Sequence, residues 1–454
     1  MLNKKVLIVF VSILLLGLIF TIGCVKEKVS DKLEDREAGE PGLVSDGNKE
    51  HVKEIYVLVN NGINRNGELF IYNGLLLDSE VRAGNNLIHN DLLICQANLG
   101  RDSKRLAVSP DGTKVYITNS EDNTISVINT EDCSLNNLIT ITRGSPHPRD
   151  IKADSQYIYV TTQQGFDRIN IDTSDRVQVV LPTGGAKELY LSQNTLYLID
   201  EEGETITANT RNIGSPNLNT VISGGTTDPR YRNIVPYPPS RFGPSPGRIG
   251  LGPLGKVYYA SKIDGLVWDI TQNGNYLRLN NGQYRNLANS QQFTVDQLHS
   301  SRTATLIGDS PEDIVYTTVE GNELVFISRG TANQITFFVT NPHFLARPLS
   351  LRHTIGLGTH SSPTDLAVGE NFLYFLTNTL GVIEIDSSIE GGVALYNNRL
   401  SIPGGTPVAM EVFIGDRDVN QEVVEANPET LNERNEVIEE PREAGKKGKL
   451  EGKE

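Results

Sequence analysis

The sequence has few of the residues on which several common function classes depend. Its 454 residues include one Trp, two Met, three Cys and seven His, and 41 basic residues face 56 acidic ones, for a net charge of -15. No stripe of Lys and Arg runs along any segment, so the electrostatic footprint of a nucleic-acid-binding protein is missing. We therefore expect no nucleic-acid partner.

The motifs of common catalytic and metal sites are also missing. The chain contains no HExxH, no CxxC, no glycine-rich nucleotide loop and no GxSxG nucleophile elbow. His343, His353 and His360 lie in one segment, and solvent-facing loop residues are a better interpretation of them than metal ligands. We therefore predict no resident cofactor, and leave a divalent cation open as the one alternative.

The first 24 residues have the pattern of an export signal. Lys4 and Lys5 precede an apolar run over residues 6–22, which ends at Gly23 and Cys24. This order resembles a lipoprotein signal peptide, in which Cys24 becomes the lipidated N-terminus. The alternative is an uncleaved anchor, since about 17 apolar residues only just reach spanning length. Either interpretation predicts an extracytoplasmic protein held at the cell membrane or envelope.

Charged segments without apolar periodicity flank a central part rich in Gly, Tyr and turn residues. Segments of this composition are predicted to be solvated and disordered. The predicted organisation has four parts: residues 1–24 form a signal peptide or anchor, 25–54 a disordered charged linker, 55–415 the folded domain and 416–454 a disordered charged tail.

Cys95 and Cys133 are the cysteines that remain after Cys24. An oxidising compartment would permit them to pair. We favour the other interpretation, in which the two are buried thiols that pack as small apolar residues.

One unit of the folded domain, residues 106–129, reads as three strands joined by tight turns. A strand leads into a Ser-Pro-Asp-Gly turn, a second strand carries Tyr116, and a third alternates Ile125 and Val127. Within it, residues 115–119 read VYITN, and the unit closely resembles the YVTN β-propeller repeat. Related segments cover residues 146–172, 184–209, 246–270, 311–340 and 363–386.

The resemblance implies an all-β fold, a single β-propeller of about seven four-stranded blades. Seven second-strand aromatics, which we expect to pack between blades, mark the blades: Tyr56, Tyr116, Tyr159, Tyr197, Tyr258, Phe326 and Tyr374. Residues 55–60 and 69–72 lack a preceding first strand, which residues 406–414 can supply. We expect the N- and C-terminal strands to pair and close the ring. Three insertions, at 211–245, 274–292 and 341–361, read as loops.

When the repeats are aligned, one equivalent position lies at the start of the first strand of each blade. The first strand is the innermost strand of a propeller blade. The occupants of the aligned position are Arg105, Asp150, Glu188, Arg248, Asp313, Asp365 and Ala409. The first interpretation is structural: these residues join neighbouring blades, with Arg105 facing Asp150 and Glu188 facing Arg248. The second is that Asp313 and Asp365 leave a negative pocket for a cation or polar ligand. His147 and His360 lie just upstream, in loops leading to the same channel mouth.

These observations favour a binding or structural envelope module over an enzyme. The predicted protein is a monomeric, membrane-tethered propeller that contacts a protein or glycan through loops on its faces. The alternative is an enzyme similar to the lactonase-type propellers, for which Glu188, Arg248 and His147 are the nearest candidate residues. A quinone-cofactor dehydrogenase is disfavoured by the single Trp. No residue is assigned a catalytic role, because fold does not settle function.

Overall fold

Alternating apolar residues and tight turns, repeated along the chain, produce an all-β architecture in the computed structural model. Residues 51–417 form one compact unit. The structure describes residues 49–418 except 63, 143–145, 182–184, 193–194, 201–204, 211–221, 224–245, 252–256, 262–264, 270–275, 279–282, 287–290, 301–303, 309–310, 320–321, 341–350, 359–360, 386–392 and 397. Cys24 and the flanking charged segments thus lie outside the described residues. No helix in the described part is long and apolar enough to cross a membrane.

Sheet 1 is built from both ends of the described chain. In the order β3-β2-β1-β32, its strands are β1 (Lys49–Asn60), β2 (Asn66–Asn73), β3 (Leu93–Arg101) and β32 (Thr406–Asp418). The strand that residues 406–414 were expected to supply therefore lies beside β1. β1 and β2 pair antiparallel, with Tyr56 opposite Ile71.

Sheets 2, 3 and 4 follow in chain order, each a four-stranded antiparallel meander. Sheet 2 comprises β4 (Ser103–Val108), β5 (Lys114–Asn119), β6 (Thr124–Asn129) and β7 (Leu135–Thr140). Sheet 3 comprises β8 (Ile151–Ala153), β9 (Tyr157–Thr162), β10 (Gly165–Asn170) and β11 (Arg176–Val180). Sheet 4 comprises β12 (Ala186–Ser192), β13 (Thr195–Asp200), β14 (Thr205–Asn209) and β15 (Ile222–Ser223).

Sheets 5, 6 and 7 repeat the same plan. Sheet 5 comprises β16 (Pro246–Leu251), β17 (Val257–Ser261), β18 (Leu266–Asp269) and β22 (Ala304–Leu306). Sheet 6 comprises β23 (Pro311–Val319), β24 (Asn322–Arg329), β25 (Gln334–Thr340) and β26 (Leu351–Gly356). Sheet 7 comprises β27 (Asp365–Gly369), β28 (Phe372–Leu376), β29 (Thr379–Ile385) and β30 (Val393–Leu395), and β31 (Leu400–Ser401) also pairs with β29.

The sequence suggested that the insertion at residues 274–292 is a loop, but the structure shows that it is not simply a loop. It holds a small three-stranded sheet of β19 (Tyr276–Arg278), β20 (Tyr284–Asn286) and β21 (Gln292–Phe293), followed by the helix α3 (Val295–Ser300). Most of the other two insertions lies outside the described residues, although β26 falls within residues 341–361.

The core lies between sheets, because each apolar cluster combines side chains of two consecutive sheets. Six of the predicted aromatics are fully buried and occupy such clusters: Tyr56, Tyr116, Tyr159, Tyr258, Phe326 and Tyr374. Tyr56 packs between sheets 1 and 2, and Tyr374 between sheets 7 and 1. The expectation of an interblade packing role is confirmed for these six. Tyr197 is only half-buried.

Two helices that the sequence reading missed are inserted between β2 and β3: α1 (Gly74–Ala83) and α2 (His89–Leu92). Asn73 caps α1 by accepting a hydrogen bond from the Leu76 amide at 2.9 Å, and Gly84 ends it in the left-handed conformation (φ 71°). Asp78 of α1 accepts a hydrogen bond of 2.6 Å from the buried Lys53 ammonium. The Tyr374 hydroxyl donates to the same carboxylate at 2.5 Å, so α1 is fixed to sheets 1 and 7.

Cys95 and Cys133 form a disulfide, so the expectation of two separate thiols is wrong. Their Cα atoms are 5.8 Å apart, which suits the bond. Cys95 lies on β3, the outermost strand of sheet 1, and Cys133 lies just before β7, the outermost strand of sheet 2. The bond therefore links the rims of two neighbouring sheets.

Candidate functional site: the mouth cavity

Three aspartates at the aligned position join neighbouring sheets by the same hydrogen bond. In each case an Oδ2 atom accepts from a backbone N–H on the first strand of the next sheet: Asp150 from Leu189 at 2.8 Å, Asp313 from Leu366 at 2.8 Å, and Asp365 from Met410 at 2.6 Å. All three aspartates are buried. The interpretation that this position joins neighbouring blades by hydrogen bonds is confirmed for them.

The predicted ion pair between Arg105 and Asp150 does not form among the described residues. Arg105 Nη1 instead donates to the carbonyl oxygens of Lys104, at 3.3 Å, and Val408, at 2.8 Å. The second Asp150 oxygen accepts from the Ile151 amide at 2.9 Å. Both side chains hydrogen-bond to backbone groups, because strand starts offer N–H and C=O groups that the ladder leaves unpaired.

A cavity of about 680 Å³ opens where the first strands begin, and we call it the mouth cavity. Six of the seven large sheets contribute residues to its wall: Asn60, Lys104, Arg105, Ser120, Glu121, His147, Arg149, Asp150, Gln163, Lys187, Glu188, Glu312, Thr364, Thr406, Pro407 and Val408. Its volume lies in the usual range of small-molecule sites.

The mouth cavity brings together four of the eight residues predicted from the sequence, namely Arg105, Asp150, Glu188 and His147. Asp313 and Asp365 do not line it. Their carboxylates bind the next sheet, which is at odds with the hypothesis of a negative cation pocket between them. No group of three or more His, Cys, Asp or Glu residues suited to a metal occurs within the described part of the chain. The Arg248 side chain and His360 lie outside what the structure describes.

The sequence alignment missed that the preceding residue also lines the cavity. Six residues at this preceding position do so: Lys104, Arg149, Lys187, Glu312, Thr364 and Val408. Side chains alternate between the two faces of a strand, so when the aligned residue turns toward the next sheet its predecessor turns toward the channel. The sequence did carry a signal for these residues. Four of the six are charged, and each lies one position before a residue of the aligned series.

His147 is held in an unusual conformation at the cavity wall. Its φ of 36° lies in the left-handed region, which residues other than Gly seldom adopt. Its amide donates to Asn123 Oδ1 at 3.0 Å, and its ring Nδ1 lies 3.2 Å from the Ser120 carbonyl oxygen. A carbonyl only accepts, so Nδ1 is the donor in this contact, and whenever the ring is neutral Nε2 is the acceptor.

Glu411 lies two residues beyond Ala409, on β32, and adds an acidic group next to the first strands. The Val108 amide donates to its carboxylate at 3.2 Å. Burial raises the pKa of Glu411, while the nearby positive charge of Lys152 opposes that rise. Glu411 and Lys152 belong to no sequence motif and come together only when strands of sheets 1, 2 and 3 lie near one another.

The mouth cavity has charges of both signs. Its basic side chains come from three consecutive sheets and are Lys104, Arg105, Arg149 and Lys187. Its acidic residues are Glu121, Asp150, Glu188 and Glu312. Lys104 forms an ion pair of 2.7 Å with Asp102, which does not line the cavity. Such a site can bind a polar ligand through charged and uncharged hydrogen bonds.

No family profile matches the chain, and no curated protein matches it in sequence. Solved structures do resemble it. A provisionally assigned 6-phosphogluconolactonase from Bacteroides fragilis is 14% identical with a TM-score of 0.52, over 82% of this chain and 100% of that one. Another, from Bacteroides uniformis, is 12% identical with a TM-score of 0.52, over 80% and 99%. The Swd1 β-propeller domain of Myceliophteria thermophila is 11% identical with a TM-score of 0.44, over 68% and 88%. The structure neighbours are β-propeller-like proteins, and at these identities the likeness is one of fold alone.

Proposed function

We propose that this protein is a membrane-tethered, extracytoplasmic binding module, a closed propeller of seven YVTN-type blades whose ligand occupies the mouth cavity. The observation that carries the proposal is the cavity itself, walled by charged and polar side chains from six sheets. Contacts that converge from several rigid elements are typical of small-ligand sites. Protein or envelope contacts through the outer faces remain part of the proposal.

The packing of the sheets supports the closed ring of seven blades. Clusters join sheets 1 and 2, 2 and 3, 3 and 4, 5 and 6, and 6 and 7, and a further cluster joins sheet 7 to sheet 1. The Asp365 hydrogen bond to Met410 also joins sheet 7 to β32 in sheet 1. Ring closure removes sheet edges that would otherwise be exposed.

The disulfide supports the proposed location. Disulfides persist in oxidising compartments and are rare in the cytosol, where thiols are kept reduced. The Cys95–Cys133 bond therefore favours a protein exported through the signal at residues 1–24, with Cys24 as its lipidated residue. Mass spectrometry of the protein extracted from membranes tests the anchor: a chain that begins at an acylated Cys24 is expected if Cys24 carries the lipid, and an unmodified chain that still contains residues 6–22 is expected if that run spans the membrane.

The binding proposal is tested by thermal unfolding of the full chain in detergent with divalent cations, neutral and acidic saccharides, and lactones. A ligand that binds only the folded state raises the melting temperature by mass action. Thr364→Trp places a bulky indole in the mouth cavity and should abolish the shift. The matched control is Thr354→Trp, at an exposed position on β26 that does not line the cavity. A shift that survives Thr364→Trp would contradict a site in the mouth cavity.

A lactone hydrolase is the second candidate, because His147, whose ring has Nε2 as its acceptor when neutral, lines the cavity together with Glu188 and Arg105. An acceptor nitrogen could take a proton from an attacking water. The names of the two Bacteroides neighbours point to the same class. Hydrolysis of δ-gluconolactone that is lost in His147→Gln would favour this candidate, and a rate equal to the uncatalysed one would exclude it.

A further inference from the structure

We propose that the ligand of the mouth cavity is a saccharide that carries carboxylate groups, an inference that rests on the proposed function. The first observation is a charge balance that runs against the composition of the chain. Acidic residues outnumber basic ones by 56 to 41 overall, yet the cavity wall holds four of each. Basic side chains are therefore relatively enriched in a cavity whose size suits a small ligand.

The charge that the cavity wall offers to a ligand is more positive than this count suggests, because the Asp150 carboxylate is not offered to a ligand. The side chain is buried, and its two oxygens accept from the amides of Ile151 and Leu189. Hydrogen bonds to backbone N–H groups disperse the charge of a carboxylate and occupy its lone pairs. Four basic side chains then share the wall with three glutamates, and one of the four, Lys104, is already paired with Asp102.

Arg105 supplies the anchoring cation. Its guanidinium is held by the carbonyl oxygens of Lys104 and Val408, which fix its position without neutralising its charge. It forms no ion pair with a carboxylate in the part of the chain that the structure describes. Both bonds use Nη1, and a guanidinium has five N–H donors, so a ligand carboxylate can be bound by the others.

The rest of the wall suits a hydroxylated ring. Uncharged polar side chains on four sheets line the cavity: Asn60, Ser120, Gln163, Thr364 and Thr406. Amide and hydroxyl groups of this kind donate to and accept from sugar hydroxyls, and the three glutamates are further acceptors. An acidic saccharide can place its carboxylate against Arg105 and its hydroxyl groups along the rest of the wall.

Calorimetric titration of the full chain in detergent micelles tests the inference with a matched pair of ligands. D-galacturonic acid and D-galactose share their ring stereochemistry and differ at C6, where the acid bears the carboxylate. We expect the acid to bind at least tenfold more tightly, and added salt to weaken its binding because charges are screened. Tetragalacturonate separates the sources: tighter binding than the monomer indicates a polymeric glycan, and equal binding indicates a free sugar acid.

Arg105→Gln should reduce the affinity for galacturonate at least tenfold, and Lys187→Gln gives a second variant should Arg105→Gln fold poorly. The control is Arg82→Gln, which removes an exposed arginine of α1 paired with Glu384 and should change nothing. Equal affinities for acid and neutral sugar, both lost in Thr364→Trp, would overturn the inference and leave the mouth cavity as the site. Failure of both sugars to bind at millimolar concentration would overturn it too, and the thermal panel with Thr364→Trp would then decide the proposed function separately.

Discussion

At the scale of single residues, the three buried aspartates at the strand starts each satisfy a backbone amide of the next sheet. Loss of the acceptor leaves that amide buried without a partner, which costs about 1–3 kcal/mol. Asp365→Ala should therefore lower the free energy of unfolding by about that amount, as measured by urea titration. Asp365→Asn keeps an acceptor oxygen and should cost less. Asp172→Ala, in an exposed turn, is the control. A loss in Asp365→Ala no larger than in Asp172→Ala would contradict the joining role.

Glu411 gives a pH-dependent prediction at the same scale. Its pKa is raised in the folded protein by burial, so in the window above the ordinary Glu pKa the folded state binds more protons than the unfolded state. The contribution of protonated Glu411 to the free energy of unfolding is complete below that pH window and is lost as the pH rises through it. Glu411→Gln has no such titration, so its melting temperature relative to wild type should increase from pH 4 to pH 8. A difference that is constant with pH would refute this account of Glu411.

At the scale of elements, α1 depends on a buried ion pair. Lys53 is fully buried, contacts Asp78 and lies 5.0 Å from the Phe372 ring centroid and 5.4 Å from that of Tyr374. Burial raises the pKa of Asp78, and the Lys53 ammonium opposes that rise. The pair thus joins α1 to sheets 1 and 7, and removal of Lys53 leaves the Asp78 carboxylate buried without its ammonium partner.

Lys53→Met should destabilise the protein by about 3–5 kcal/mol, as is usual when one member of a buried pair is removed. The double variant Lys53→Met/Asp78→Leu should recover part of the loss, because no buried charge is then left over. The control Arg82→Met breaks an ion pair whose arginine is half-exposed, and should cost no more than about 1 kcal/mol. If Lys53→Met behaved like the control in urea titration, α1 would not depend on this pair.

The disulfide between the rims of sheets 1 and 2 gives the second prediction for elements. The two cysteines are separated by 38 positions, and loops of this size gain about 2–4 kcal/mol from a crosslink. Cys133→Ser should lower the melting temperature, and the double variant with Cys95→Ser should lower it no further. Reduction of the wild type should have the same effect as Cys133→Ser. A melting temperature insensitive to reduction would mean that the bond is not part of the native protein.

The strands could be read from the sequence more easily than the helices or the disulfide. Alternation and turn residues mark most of β4–β6 and β27–β29, because these signals are local. Asn73 and Gly84 do mark the ends of α1, but they stand inside a chain that otherwise repeats β-strands. The pairing of Cys95 with Cys133 depends on two sheets lying side by side, which no local pattern shows.

At the scale of the whole molecule, local sequence patterns were also insufficient to predict the whole candidate site. The repeat alignment located the strand starts, and so Arg105, Asp150, Glu188 and His147 were found. It could not tell that the preceding residue also reaches the cavity, since that depends on the rotation of each strand, and so Lys104, Arg149 and Lys187 were missed. Asp313 and Asp365 were assigned to a pocket for the same reason.

The central claim is that the ligand binds in the mouth cavity and not on the outer rim of the sheets. Hydrogen–deuterium exchange of the full chain with and without saturating tetragalacturonate tests it, since a bound ligand slows the exchange of the amides it covers. We expect protection at the strand starts near residues 104–106, 149–151 and 187–189, and none on the rim strands β3, β7 and β11. Protection confined to those rim strands would contradict it.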